Sequence, residues 1–232
     1  IRIVNPSFKI RPDISEEKGY TADIGMRGRI NNSFTYDAGV FAIYYDDRIG
    51  EVFNDRAQRV RGNIGDAMIY GIESYANWNI ANSLFADADN YVLNTFVNLA
   101  ITDSEYLNSE DIIEGNKVEF IPLINLKAGV GFGYKNFLGN IQFTHLSEQF
   151  TEVTNADRGE IGSKEEGTLG KIPAYSIVDL SFSYTYKQFK LETGINNLLD
   201  KSYFTQRATG YPGPGIIPAA PISWYTTLQI KL

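Results

Sequence analysis

The stretch from Pro173 to Tyr203 limits what this chain can fold into more than any other. From Val178 the even positions Val178, Leu180, Phe182, Tyr184 and Tyr186 are apolar or aromatic, while Asp179, Ser181, Ser183 and Thr185 between them are polar. Alternation with period 2 marks a strand with one oily and one wet face, whereas a helix would repeat its apolar residues every three or four positions. After Lys187-Gln188 the alternation restarts, with Phe189, Leu191 and Ile195 set against Lys190, Glu192 and Asn196. Two strands joined by a very short turn are predicted here.

The same pattern runs through the chain. Alternating segments at 19–30, 34–45, 67–80, 90–101, 123–134, 139–149 and 222–232, with the hairpin above, predict nine strands. Residues 1–18 read as a loop, because Pro6 and Pro12 cannot donate to a ladder. The connections alternate in length. Short ones fall at 31–33, 81–89, 135–138 and 187–188, and long ones at 46–66, 102–122, 150–172 and 198–221. No helical period of useful length is present. A soluble β-sandwich also alternates apolar and polar residues, but it rarely alternates its connection lengths so regularly. Transmembrane barrels do so, with short turns on one side and long loops on the other.

Composition agrees. Tyr (15) and Phe (14) are abundant, and no window of about 18 apolar residues exists for a membrane helix. Transmembrane strands leave no such window, since lipid-facing residues alternate with polar ones. The net charge of −7 argues against a nucleic-acid partner, and the lack of Cys removes disulfides and thiolate metal sites.

The ending Asn197-Leu198-Leu199-Asp200-Lys201-Ser202-Tyr203 resembles the "NLxDKxY" close of the penultimate hairpin in TonB-dependent outer-membrane receptors, with Leu199 where that family often has Phe. Further segments are similar to that family in the same order: Asn5 to Pro12, Asn63-Ile64-Gly65-Asp66 with Gly71-Ile72-Glu73, and Gly115 to Pro122. The apolar terminal Leu232 resembles the signal read by the barrel-assembly machinery, which more usually ends in Phe. The segments NIGDAMIYGIE, GNKVEFIP and YFTQRATGYPGPGIIP look most like the ferric-citrate-type receptors.

The resemblance implies an all-β, antiparallel up-and-down transmembrane β-barrel. Residues 1–232 would form its C-terminal part, nine strands of about 22, with the plug and earlier strands outside this sequence. It also implies an outer-membrane location with a periplasmic C-terminus. The implied activity is TonB-dependent active transport of an iron chelate, ferric citrate or siderophore-like. Its partners would be TonB, ExbB and ExbD acting through the plug, the lipid bilayer, and the barrel-assembly machinery during biogenesis. Alternatives are uptake of haem, cobalamin, nickel or a glycan, or a small standalone barrel acting as an adhesin or structural protein.

On that direction, Tyr36 and Tyr44 mark opposite ends of one oily strand face, and Tyr70 and Trp78 do so on the next. Eight residues span roughly 26 Å, or about 20 Å along the membrane normal after tilt, close to the height of the apolar band between two aromatic girdles. Tyr184, Tyr186 and Trp224 extend the girdles. Arg27, Glu73, Lys127 and Asp179 fall on the opposite, lumen-facing phase.

No catalytic constellation is expected. The lone His145 shares the apolar phase of Ile141 and Phe143, whereas a hydrolase needs His beside Ser in an oriented site. No metal-ligand spacing and no cofactor motif appear. Gly129, Gly131 and Gly133 precede no helix and read as places of close packing on a strand. A transporter needs recognition, and anionic chelates suit arginine. Arg56, Arg59 and Arg61 in the first long connection, and Gln206 and Arg207 in the last, are the candidate substrate-binding residues; the plainer reading is solvated loop charge.

If the barrel reading holds, Val40→Arg in the full-length receptor costs about 2–4 kcal/mol of unfolding free energy in lipid vesicles. Gly39→Arg, on the lumen phase, lacks that lipid penalty. Equal stability of wild type and Val40→Arg would refute the assignment.

Overall fold

The computed structural model describes residues 8–53, 59–84, 90–109, 113–157, 167–208 and 215–231. The strands are β1 (Phe8–Ile10), β2 (Lys18–Ile30), β3 (Phe34–Phe53), β4 (Arg59–Asn79), β5 (Tyr91–Leu107), β6 (Ile124–Tyr134), β7 (Phe137–Leu146), β8 (Tyr175–Tyr186), β9 (Phe189–Asn196), β10 (Phe204–Ala208), β11 (Gly215–Pro218) and β12 (Ser223–Ile230), with a single-turn helix α1 (Ile80–Leu84). Strands β2 to β9 pair in sequence order and β12 adds to β9, every pair antiparallel. This is the expected nine-strand up-and-down wall.

The ladder register sorts residues onto two faces. One row of paired residues reads Ile24, Val40, Ile72, Ile101 and Ile124. An adjacent row on the other face reads Gly25, Gly39, Glu73, Ala100 and Asn125. On the apolar face Ile24, Val40 and Ile72 are 74%, 47% and 52% exposed, so within this chain nothing covers them.

Several stretches differ from the sequence reading. Residues 46–66, expected as a loop, are mostly strand: β3 and β4 stay paired out to Phe53 and Arg59. The register shifts between Tyr45 and Arg48, where Asp47 (φ 55) and Gly65 (φ 124) turn the backbone as a bulge does. Past that bulge Arg48-Ile49-Gly50-Glu51-Val52-Phe53 of β3 does not alternate apolar and polar residues, although its partner still does over Arg59 to Ile64, and the charges there read as a loop while backbone pairing continues. β5 likewise runs on to Leu107. β1, inside the expected leading loop, pairs in parallel with β4. α1 interrupts the turn after β4, too short to show a period, and β10 with β11 forms a hairpin within the last long connection.

Glycines on the wall make room for rings lying along the sheet. A Cβ on Gly139 would meet the Phe132 ring at 2.5 Å, and one on Gly129 would meet Phe96 at 2.5 Å, the close packing expected for that glycine run. Gly71 is tighter, because its Cβ would press on the Ile101 carbonyl oxygen and sit 3.0 Å from the Phe41 ring. Gly71→Ala is expected to destabilise the full-length protein by about 1–3 kcal/mol through this overpacking. Urea unfolding in lipid vesicles checks it, and an unchanged midpoint would show that β4 and β5 yield freely.

Candidate functional site at the long-loop end

Apart from Ala81 in α1, the buried hydrophobic side chains described lie toward one end of the polar face, where the long connections meet. Ile64, Ala67, Tyr106, Ile113, Val118 and Val153 form this core, with Tyr45, Ile69 and Ile121 packed against it. β3, β4 and β5 carry their lumen-phase residues past the apolar band, and the connections after β5 and β7 fold over them.

An ionic group sits in that core. Arg48 donates from Nη2 to Glu119 Oε1 at 3.0 Å, with both side chains mostly buried. The Tyr106 hydroxyl donates to Glu119 Oε2 at 2.6 Å, and the guanidinium lies 5.7 Å from the Tyr45 ring and 5.5 Å from the Tyr106 ring. Burial, then the Glu119 charge, push the Tyr106 phenol well above its ordinary value. A raised folded pKa stabilises below the unfolded value of about 10 and loses that contribution as pH rises further.

The family-like segments act as fasteners. Asp66 accepts from the Tyr44 hydroxyl, the Asp47 amide and Asn108 Nδ2 at 2.7, 3.1 and 3.0 Å. Asn63 Nδ2 donates to the Asp47 carbonyl at 2.6 Å, and Asn116 Nδ2 to the Val153 carbonyl at 3.0 Å. Asn197, buried with φ 52, donates to the Lys201 and Ala220 carbonyls and accepts from the Lys201 amide. Asp200 accepts from the Ile222 amide at 3.0 Å just before β12, and Tyr203 stacks on Tyr175 at 4.5 Å.

Beside the core lies a recess of about 370 Å³, whose lining includes Arg48, Glu51, Arg61, Glu119, Glu152 and Arg207. Arg207 donates from Nη1 to the Gly167 carbonyl at 2.9 Å and from Nη2 to the Lys171 carbonyl at 2.7 Å, with its guanidinium 5.1 Å from the Phe204 ring. Burial lowers its pKa from the ordinary guanidinium value. Arg48 Nη1 and Arg207 Nε are buried and make no hydrogen bond. The recess thus has guanidinium groups of Arg48, Arg61 and Arg207 in its lining, a residue type that suits an acceptor-rich, anionic guest.

Of the residues singled out in the sequence, Arg61 and Arg207 come together here. Arg59 pairs through its backbone with Phe8 and Phe53. Gln206 is exposed in β10 opposite Ile217, outside the recess lining. Arg56 lies outside the described residues. Arg48 was missed, because a single Arg after two Asp residues carries no motif; only the fold shows the carboxylate and rings around it.

Arg27 lies 3.7 Å from Asp37 on the polar face, and both line a larger groove there with Glu73. Lys127 pairs with Asn98 and Thr144 in the same phase. Asp179 accepts from the Asn197 amide at 2.9 Å, so it holds the turn after β9 as well as facing that side. On the apolar face Tyr36 opposes Ala76, two residues from Trp78, and Tyr44 opposes Met68, two residues from Tyr70. Tyr184 opposes Phe137 and Leu191, Tyr186 opposes Phe189, and Trp224 opposes Ile195. His145 Nδ1 and Ser176 Oγ are 2.8 Å apart on that face. Leu126, Phe143 and Val178 flank the pair, with no carboxylate among these neighbours to orient the imidazole. Among the described residues no group of three or more His, Asp or Glu could hold a metal ion.

The family profile described as "TonB dependent receptor-like, beta-barrel" matches residues 3–198. Solved structures share the fold. The ferric citrate transporter FecA in its unliganded form superposes with a TM-score of 0.75 at 22% identity over 92% of this chain and 31% of that one. The copper transporter OprC gives 0.71 at 19% over 94% and 31%. The ferric yersiniabactin uptake receptor FyuA from Yersinia pestis gives 0.69 at 17% over 92% and 30%. The chain therefore spans about a third of the length of these structures. No curated protein matches in a sequence search.

Glu119→Gln strands the Arg48 charge and is expected to cost the outer core about 2–4 kcal/mol, toward the low side of what a buried pair loses. Hydrogen exchange on the full-length receptor in lipid checks it. Val118 and Tyr106 amides should exchange faster while wall amides such as Val97 do not, and unchanged protection would remove Glu119 from the core's support.

Proposed function

The chain belongs to the TonB-dependent receptor-like β-barrel family, and on that premise we propose that it is part of the barrel wall of an outer-membrane importer of iron chelates. Barrels of this family lie in the outer membrane, and the relatives reported above are transporters and receptors rather than enzymes. In this reading the apolar face meets lipid between the row of Tyr36 and Trp78 and the row of Tyr44 and Tyr70. The polar face meets a plug domain, through which TonB, ExbB and ExbD supply energy. The long connections face outside, the short turns and the C-terminus face the periplasm, and β12 offers its alternating strand to the assembly machinery.

The observation that carries the chelate reading is the recess lined by three guanidinium-bearing residues, Arg48, Arg207 and the exposed Arg61. Carboxylates or other oxygen donors wrapped around ferric iron present acceptors that suit guanidinium groups. An exposed ion pair contributes only about 0–1 kcal/mol, so useful affinity depends on several donors meeting in a partly dry recess. Ferric citrate is the first candidate, since the segments around Gly65, Glu119 and Arg207 look most like those of ferric-citrate-type receptors.

The test is calorimetric titration of the full-length receptor with ferric citrate. Once wild-type binding is seen, Arg61→Ala with Arg207→Ala should weaken it at least tenfold, about 1.4 kcal/mol, with normal insertion into the membrane. Arg61→Ala alone separates direct contact from loosening of the Arg207 loop. Unchanged affinity in the double variant would place the ligand elsewhere in the receptor.

A further inference from the structure

The short-turn end carries a repeated device that transport does not use. Tyr134-Lys135-Asn136-Phe137 closes β6 onto β7, and Tyr186-Lys187-Gln188-Phe189 closes β8 onto β9. In each the Tyr pairs with the Phe across the turn, on the apolar face. In each the Lys takes a positive φ, 52° at Lys135 and 51° at Lys187. Glycine or asparagine fills such positions with less strain, so lysine twice at this place calls for another reason.

Its ammonium supplies one. Lys135 Nζ lies 5.0 Å from the Tyr134 ring centre and Lys187 Nζ 5.4 Å from that of Tyr186. The lysines fold back over tyrosines that are 48% and 54% exposed on the apolar face. A cation held above a ring at the edge of an oily surface stays near the membrane interface, where Tyr rings also settle. Among the described residues neither lysine makes an ion pair. The short connections, with Lys231 just past β12, carry three positive charges, Lys135, Lys187 and Lys231, and two negative ones, Asp87 and Asp89, both in the connection after β4 and on neither Tyr-Lys turn. The Lys231 amide donates to the Gln188 carbonyl at 2.9 Å, placing it beside the second turn. At the opposite end cations are paired with carboxylates, Arg48 with Glu119 and Lys171 with Glu148 and Asp157.

We propose that the paired Tyr-Lys turns are a headgroup site for anionic glycerophospholipid of the periplasmic leaflet, with each ammonium on a phosphate and each ring among the first acyl carbons. The proposal rests on the orientation given above, with the short turns in the periplasm. An ammonium gains from an anionic lipid surface and loses that gain within a Debye length.

Native mass spectrometry of the full-length receptor, released from nanodiscs of equal phosphatidylglycerol and phosphatidylethanolamine, tests it. Wild type should retain phosphatidylglycerol in excess. Lys135→Gln with Lys187→Gln should lower that excess by about fivefold or more, and Lys135→Arg with Lys187→Arg should keep it. An equal excess in the glutamine variant overturns the proposal, and so does its loss in the arginine variant, which would indicate a turn defect. Asn136→Cys with an impermeant maleimide separates the premise. Labelling only after the outer membrane is opened upholds the orientation, so an unchanged lipid excess then defeats the headgroup site alone; labelling in intact cells defeats both.

Discussion

Everything in this wall depends on the antiparallel backbone ladder and its register. In a lipid-bounded sheet each amide and carbonyl must find its partner within the protein, because hydrocarbon offers none. The run of paired residues from β2 across to β9 and β12 meets that demand without a crossover. Register then decides side-chain fate, since a slip of one residue would exchange the two faces. Ile24, Val40, Ile72, Ile101 and Ile124 share a row only because every pair along the path keeps phase. β2 and β12 have one partner each within this chain, and an exposed edge of that length invites further strands.

The ladder also explains why the packed core is at one end. In the span of the wall both faces stay open within this chain, so few side chains there are deeply buried. On the proposed reading, water replaces lipid past the row of Tyr44 and Tyr70, and apolar groups regain a reason to cluster. Tyr45, Ala67, Ile69 and Tyr106 are the next lumen-phase residues of β3, β4 and β5, and loop residues Ile113, Val118 and Val153 close over them. The Arg48 and Glu119 pair is tolerated in that core because Tyr106 and two aromatic faces complete its contacts.

The wall was legible in the sequence because amphipathic strands write their two environments into alternate residues. Nine segments, their order and the shared apolar phase of Val178 and Leu180 with Phe143 and Ile141 followed from that alone. The extensions of β3 to β5 were not legible, since beyond the Asp47 and Gly65 bulge both environments are polar or locally packed. The motifs were legible as a family mark, and the fold shows what their residues do. Asn63, Asp66, Asn116, Asn197 and Asp200 hold connections in place, and that work needs fixed residue types as much as recognition does. Arg207 carries both aspects: two of its donors bind loop carbonyls, and its side chain is part of the recess lining.

The charge inventory of the recess bears on how a ligand would be chosen there. Arg48, Arg61 and Arg207 face Glu51, Glu119 and Glu152 across its lining, so these six side chains contribute no net charge. Long-range attraction of an anion is therefore not what this part of the wall supplies. What it supplies is direction: Arg48 is fixed by Glu119 and two rings, and Arg207 by two carbonyls. Donors already held in place lose little entropy when a guest arrives. On the proposed reading, selection then depends on whether a chelate's outer oxygens match the places at which the guanidinium-bearing side chains line the recess, and a more negative chelate with mismatched oxygens gains nothing from its charge. A site of that kind discriminates by geometry, which is the property an importer needs when competing iron complexes carry similar charge.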